Sequence, residues 1–252
     1  MRRCFFGAVD SAISMSAMKN LLLLSNSRMP TTAYLEHAVE AIRETIGDAK
    51  KIVLIPFATV ASVTIAWDST AKNVRNALES LGIEITAIHH FKDPAKALIE
   101  ADAIMVNGGN TFNLLHHLRR KEIIVPLRAQ ILAGKPYVGW SAGSAICAPT
   151  IRTTNDMPII DPSGLDALGV IDFQLNAHYT NAVAEGWMGE TRDQRLEEFV
   201  ALNPTVPVFG LPEGDWLRVR DHEIKLHGPF PGKWFRSGQE PALLASGSVV
   251  AV

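Results

Sequence analysis

From residue 21 onward the chain alternates short, wholly apolar runs with longer amphipathic stretches, and few folds accept that alternation. A short apolar run with no polar residue interleaved is what a strand covered on both faces requires. Such strands belong to parallel sheets whose crossover helices lie on either side. Leu21-Leu22-Leu23-Leu24, Ile52-Val53-Leu54-Ile55-Pro56-Phe57, Ala103-Ile104-Met105-Val106 and Pro136-Tyr137-Val138-Gly139-Trp140 all fit. Residues 83–89 read as a further strand. Between these runs the spacing predicts helices over residues 31–46, 70–81 (stopped by Gly82), 94–101 and 125–132, with another carrying Phe112, Leu114, Leu115 and Leu118. A helix is expected from Ala142 onward. The second half is less regular. Residues 149–169, rich in Pro, Thr and Asp, read as a long structured loop. Residues 170–175 and 206–211 read as strands and 192–202 as a helix. Residues 216–226 alternate in period two about a polar turn, as an antiparallel hairpin at a sheet edge does. The expected fold class is α/β: a single domain with a mostly parallel sheet flanked by helices.

The chain's 252 residues suit one large α/β domain, and a hydrophobic content of 47% is ample for its core. A net charge of −2 and the absence of a Lys/Arg stripe point away from nucleic acid. No apolar run is long enough to span a membrane. The two cysteines, Cys4 and Cys147, exclude a disulfide framework and fit a reducing, cytoplasmic setting. Residues 1–17 open like an export signal, with Arg2-Arg3 before Cys4-Phe5-Phe6, but Asp10 and three serines break the apolar run. They are expected to be an extension without a structural role, leaving 18–252 as the folded domain.

Chemistry concentrates in Gly139-Trp140-Ser141-Ala142-Gly143, a Gly-x-Ser-x-Gly pattern between a strand and a helix. Small neighbours let the backbone double back at Ser141 and let a substrate approach the hydroxyl. This makes Ser141 the candidate nucleophile and the Ala142 amide a candidate oxyanion donor; the plainer reading is a tight turn whose serine caps a helix. Gly108-Gly109-Asn110 ends another strand, so the Gly109 amide can be the second donor, unless Asn110 merely caps the next helix. Of eight histidines, His178 is singled out as the base because it follows the strand at 170–175. The acid that would orient it is Glu213 or Asp156, and spacing does not choose between them. No His-Glu-x-x-His, Cys-x-x-Cys or P-loop occurs, so neither metal nor cofactor is expected.

Several strings together resemble the peptidase E (aspartyl dipeptidase) family of serine peptidases. They are Gly108 to Phe112, Gly139 to Gly143, residues 149–158 (PTIRTTNDMP), Asn176 to Asn181, Gly189-Glu190-Thr191-Arg192 and Gly210 to Gly214. The resemblance covers residues 18 to about 245. It implies a fold akin to class I glutamine amidotransferase domains and hydrolysis of Asp-Xaa dipeptides. It assigns Ser141 as nucleophile, His178 as base, and Gly109 and Ala142 as oxyanion donors, with Glu213 preferred as the histidine's partner and Asp156 kept as a site residue. Arg192 and Asn110 become candidate substrate-binding residues, Arg192 facing the substrate's aspartyl carboxylate. The expected partner is a small peptide with an N-terminal Asp, and a homodimer is compatible. A cyanophycinase-like peptidase and a catalytically silent binding protein of the same fold are the rivals. A lipase or esterase fits poorly, because His178 precedes Glu213.

Overall fold

The computed structural model describes residues 18–60 and 63–250; the extension expected over 1–17, with Cys4, lies outside them. The strands are β1 (Asn20–Leu24), β2 (Lys51–Ile55), β3 (Glu84–Ala87), β4 (Ala103–Val106), β5 (Tyr137–Trp140), β6 (Gln174–Tyr179), β7 (Val208–Pro212), β8 (Trp216–Arg220), β9 (Glu223–His227), β10 (Gly232–Phe235) and β11 (Ala242–Leu244). The helices are α1 (Val39–Ile46), α2 (Val63–Ala77), α3 (Pro94–Glu100), α4 (Thr111–Arg120), α5 (Ile124–Leu132), the single turn α6 (Ala142–Ala145) and α7 (Arg192–Leu202).

Seven strands form the main sheet in the order β3-β2-β4-β5-β1-β8-β9. The first five run parallel, while β8 and β9 add the antiparallel hairpin at the edge. The apolar runs have the predicted cause. In β1, Leu21 and Leu23 enter one hydrophobic cluster while Leu22 and Leu24 enter another on the opposite face. A strand buried on both sides has no place for a polar residue.

A second sheet, ordered β11-β10-β7-β6, was not anticipated. Its strands β10 and β11 are short and lie among Gly, Pro and charged residues, so they carry little periodic signal. Other boundaries move for local reasons. Residues 31–35 are not helical: Leu35 takes φ 60°, and the helix starts only after a 3-10 turn at Glu36–Ala38. Helix α2 begins well before residue 70, and residues 88–90 curl into a 3-10 turn instead of extending β3. The strand expected at 170–175 lies at Gln174–Tyr179, so His178 sits within it and not after it.

Candidate active site

Strand β5 ends at Trp140, and Ser141 follows with a positive φ, at φ 52° and ψ −112°. A non-glycine residue held there is strained, and the surroundings must over-determine it. They do. The Ser141 amide donates to the Leu24 carbonyl at 3.1 Å, and the Ser144 hydroxyl donates to the same carbonyl at 2.7 Å. Gly143 packs so closely that a Cβ would run into the Val106 carbonyl, so the turn stays tight against β4 only with glycine there. Gly109, at φ 143°, leaves no room for a Cβ beside the Ala58 carbonyl. The Gly109 and Ala142 amides form no hydrogen bond within the described residues; Ala142 follows Ser141 in the chain, and Gly109 lines the same crevice as Ser141.

His178 comes from the other sheet. It too has positive φ, 54°, at an irregularity in the β6–β7 pairing between Ala177 and Tyr179. The bulge turns the imidazole toward β5. Ser25, just past β1, fixes it: its hydroxyl accepts from the His178 amide at 2.8 Å and donates to the Leu211 carbonyl of β7 at 2.8 Å. Ser25 therefore ties the two sheets together beneath the site. Ser25 lies in the string Leu22 to Asn26, which also resembles the peptidase E family, but no role was expected of it.

Around this bridge Ser141, His178 and Glu213 meet. His178 Nε2 lies 2.8 Å from Ser141 Oγ, and Nδ1 lies 2.6 Å from Glu213 Oε1. An ionised carboxylate can only accept, so Nδ1 carries the hydrogen and Nε2 presents its lone pair to the serine hydroxyl. Of the two acids weighed for this position, Glu213 occupies it, on the turn after β7. Asp156 does not touch the histidine. Its Oδ2 accepts from the Thr111 amide at 2.7 Å and from the hydroxyls of Thr111 and Thr154 at 2.5 and 3.0 Å, at the start of α4. It still lines the crevice with Ser141.

Asn110 caps α4, accepting from the Asn113 amide at 3.0 Å and donating to the Met157 carbonyl at 2.9 Å. Arg192 does not line the crevice. It donates to Asn155 Oδ1, one residue before Asp156, and borders a neighbouring hollow with Thr180, Trp187 and Arg195. The crevice itself is about 550 Å³ and includes Asn26, Arg28, Tyr34, Asn73, Asn107, Gly109, Ser141, Asp156, His178 and Glu213. Burial pushes the Tyr34 phenol up to about 12, so it stays a neutral donor.

A serine hydroxyl on a histidine that is itself held by a carboxylate is a nucleophile–base pair, and the sequence now says of which kind. Residues 21–227 match peptidase family S51. The chain belongs to peptidase family S51. It is a serine-type peptidase. The Peptidase E of Salmonella paratyphi A (strain ATCC 9150 / SARB42) is 45% identical over 227 residues, 90% of this chain and 98% of that one. The Peptidase E of Citrobacter koseri is 44% identical over the same shares. Among solved structures, a putative Peptidase E protein from Listeria monocytogenes EGD-e superposes with a TM-score of 0.61 at 27% identity, covering 85% of this chain and 100% of that one. A peptidase from an acI-B1 actinobacterium shares the fold, with a TM-score of 0.66 at 16% identity, covering 94% of this chain and 98% of that one.

Outside the S51 site, Asp68, His89 and His90 bring ligand-type atoms within 4.8 Å of one another, a grouping the linear spacing did not show. The Nε2 atoms of His89 and His90 lie 3.0 and 2.7 Å from Asp68 Oδ1, the spacing of hydrogen bonds, and these hold the Asp68 carboxyl below its ordinary range. No described helix is long and apolar enough to cross a membrane.

Proposed function

We propose that the protein is a dipeptidase that hydrolyses the bond after an N-terminal aspartate through an aspartyl-serine intermediate. The observation that carries this reading is the Ser141–His178–Glu213 chain of contacts, at 2.8 and 2.6 Å, opening into one crevice. His178 Nε2 takes the Ser141 proton as Oγ bonds to the aspartyl carbonyl carbon, and the unpaired Gly109 and Ala142 amides receive the oxyanion. The imidazolium then gives its proton to the leaving amine as the C–N bond breaks. Water, deprotonated by the same histidine, adds to the ester and frees Ser141 and aspartate.

Specificity for aspartate is what the resemblance to the peptidase E (aspartyl dipeptidase) family implies, and the groups beside Ser141 support it. Asp156 Oδ1 has no partner among the described residues and can take the substrate's ammonium, while Asn110 frames that end. Arg192, joined to this end through Asn155, is the cation suited to the aspartyl side chain, since a guanidinium grips a carboxylate with two parallel bonds. A cytoplasmic setting goes with this reading, as free small peptides are its substrate.

The test is a panel of Asp-Leu, Asn-Leu, Glu-Leu and Ala-Leu with the wild type and Ser141→Ala. Release of leucine from Asp-Leu alone, and none with the folded variant, is expected. Activity in Ser141→Ala, or equal rates on Ala-Leu, would overturn the reading.

A further inference from the structure

Helix α2 and the 3-10 turn after β3 bring three side chains with metal-binding atoms to one point, and none of the three lines the crevice around Ser141. Asp68 lies in α2, next to buried Trp67, and His89 and His90 end the 3-10 turn. The Nε2 atoms of both histidines face a single oxygen, Asp68 Oδ1, at 3.0 and 2.7 Å. Two neutral imidazoles and a carboxylate form a donor set for Zn²⁺ and similar transition ions, whereas Mg²⁺ and Ca²⁺ take oxygen ligands.

The surroundings hold the two rings in place. Ile88, fully buried, anchors the 3-10 turn, and its carbonyl accepts from the Phe91 amide at 3.2 Å. Just before the turn, Ala87 of β3 pairs with Leu54 of β2. The His89 ring packs beside Trp67 and His90, with centroids 5.3 and 4.2 Å away, and Trp67 Nε1 donates to the Thr59 carbonyl at 3.3 Å. The His89 side chain is 8% exposed, but those of Asp68 and His90 are 47% and 54% exposed, so solvent reaches the point they share. Ligands ~2.0–2.1 Å from a tetrahedral Zn²⁺ stand ~3.3 Å from one another, so the carboxylate has to retreat by only about 0.5 Å. A metal-binding Nε2 must give up its hydrogen. His89 Nδ1 has no partner among the described residues, so moving the ring hydrogen there breaks no contact.

We propose that Asp68 Oδ1 and the Nε2 atoms of His89 and His90 bind one Zn²⁺-class divalent ion, with water completing its shell, and that the ion clips α2 to the end of β3. Its role is structural. Helix α2 also supplies Thr70 and Asn73 to the crevice, so the clip steadies that wall and takes no part in hydrolysis, whatever the substrate.

The test titrates Zn²⁺ and, separately, Mg²⁺ by calorimetry into the full chain after chelator treatment and dialysis, with Tm read on the same samples. The wild type stands beside His90→Gln, Asp68→Asn and the control His222→Gln, which alters an exposed histidine next to Asp221. Zn²⁺ is expected to bind the wild type and His222→Gln alike and to raise their Tm. His90→Gln and Asp68→Asn should each lose at least about tenfold in affinity, since even a group that only supports a metal ligand is worth ~10–100-fold. Both replaced side chains are half exposed, so each variant should melt near the wild type without metal, and either one suffices for the comparison. Mg²⁺ should leave Tm unchanged. A wild type that binds no Zn²⁺, or binds Mg²⁺ as tightly, overturns the proposal. So does Zn²⁺ affinity that survives both substitutions, as it would for an ion held at His178 and Glu213.

Discussion

Replacing Glu213 with Gln changes one charge and almost no volume, and its effect separates the roles of Glu213 and Asp156. In the ground state the Nδ1–H bond at 2.6 Å fixes the tautomer. In the transition state the imidazole is positive, and the carboxylate faces it directly. Unit charges about 4 Å apart interact by about 4 kcal/mol at an effective dielectric near 20, and by about 1 kcal/mol in bulk water. The two side chains are 39% and 54% exposed, so the pair falls between those limits. A loss of about 2–3 kcal/mol of transition-state stabilisation corresponds to a roughly 30- to 150-fold lower kcat. That is less than the ~10⁴-fold seen when a buried triad acid is neutralised, because solvent partly replaces this one.

The assay is initial-rate release of leucine from Asp-Leu at saturating and subsaturating substrate, with Asp156→Asn beside Glu213→Gln. Glu213→Gln should lower kcat with little change in KM. Asp156→Asn should act chiefly on KM, because its carboxylate accepts from the α4 amide, is proposed to take the substrate's ammonium, and does not touch His178. A Glu213→Gln enzyme within threefold of wild-type kcat would refute the electrostatic argument. A larger kcat loss in Asp156→Asn would move the orienting role to that residue.

Two further predictions concern the frame. Ser25→Ala strands the His178 amide and the Leu211 carbonyl, costing about 1–3 kcal/mol of stability; kcat should fall at every pH while Ser25→Thr recovers part of it, and an unchanged kcat would show that the bulge in β6 holds His178 unaided. Asp215 is fully buried, accepts from the Phe230 amide at 3.1 Å, and leaves its other carboxyl oxygen unpartnered; burial pushes it up to about 7. An acid raised above its unfolded value keeps its proton in the folded state, so this contribution is complete below about pH 4 and lost as pH rises to about 7, by something on the order of 4 kcal/mol. His117, which burial lowers to about 4, has the opposite slope as pH falls below about 6.5, so the variant and not the wild-type curve isolates Asp215. Asp215→Asn should melt above the wild type at pH 8, with the gap closing by pH 4; a gap independent of pH would sink the argument.

The parts of the molecule that were legible in the chain are those set by near neighbours. The apolar runs of β1, β2, β4 and β5 announce a doubly covered parallel sheet, because no other setting buries both faces of Leu21 to Leu24. Gly139 to Gly143 announces its turn, since the close contact of Gly143 with Val106 forbids a side chain. Legibility ends where two distant segments decide the outcome together. His178 was placed after a strand at 170–175, yet it lies inside β6, at a bulge whose positive φ is stabilised by Ser25, a residue 153 positions earlier. The choice between Asp156 and Glu213 is of the same kind. Both are acidic residues in turns, and what separates them is that β7 pairs with β6 and carries Glu213 to the histidine, while Thr111 claims Asp156 for the start of α4. Arg28 and Arg192 show the limit most plainly. A local string directs attention to Arg192, whereas the cation lining the nucleophile's crevice follows β1, and only the pairing of β1 with both β5 and β8 brings it there. Motifs can thus nominate the candidate residues of a serine peptidase, but which charges surround them depends on sheet order, which is a property of the whole chain.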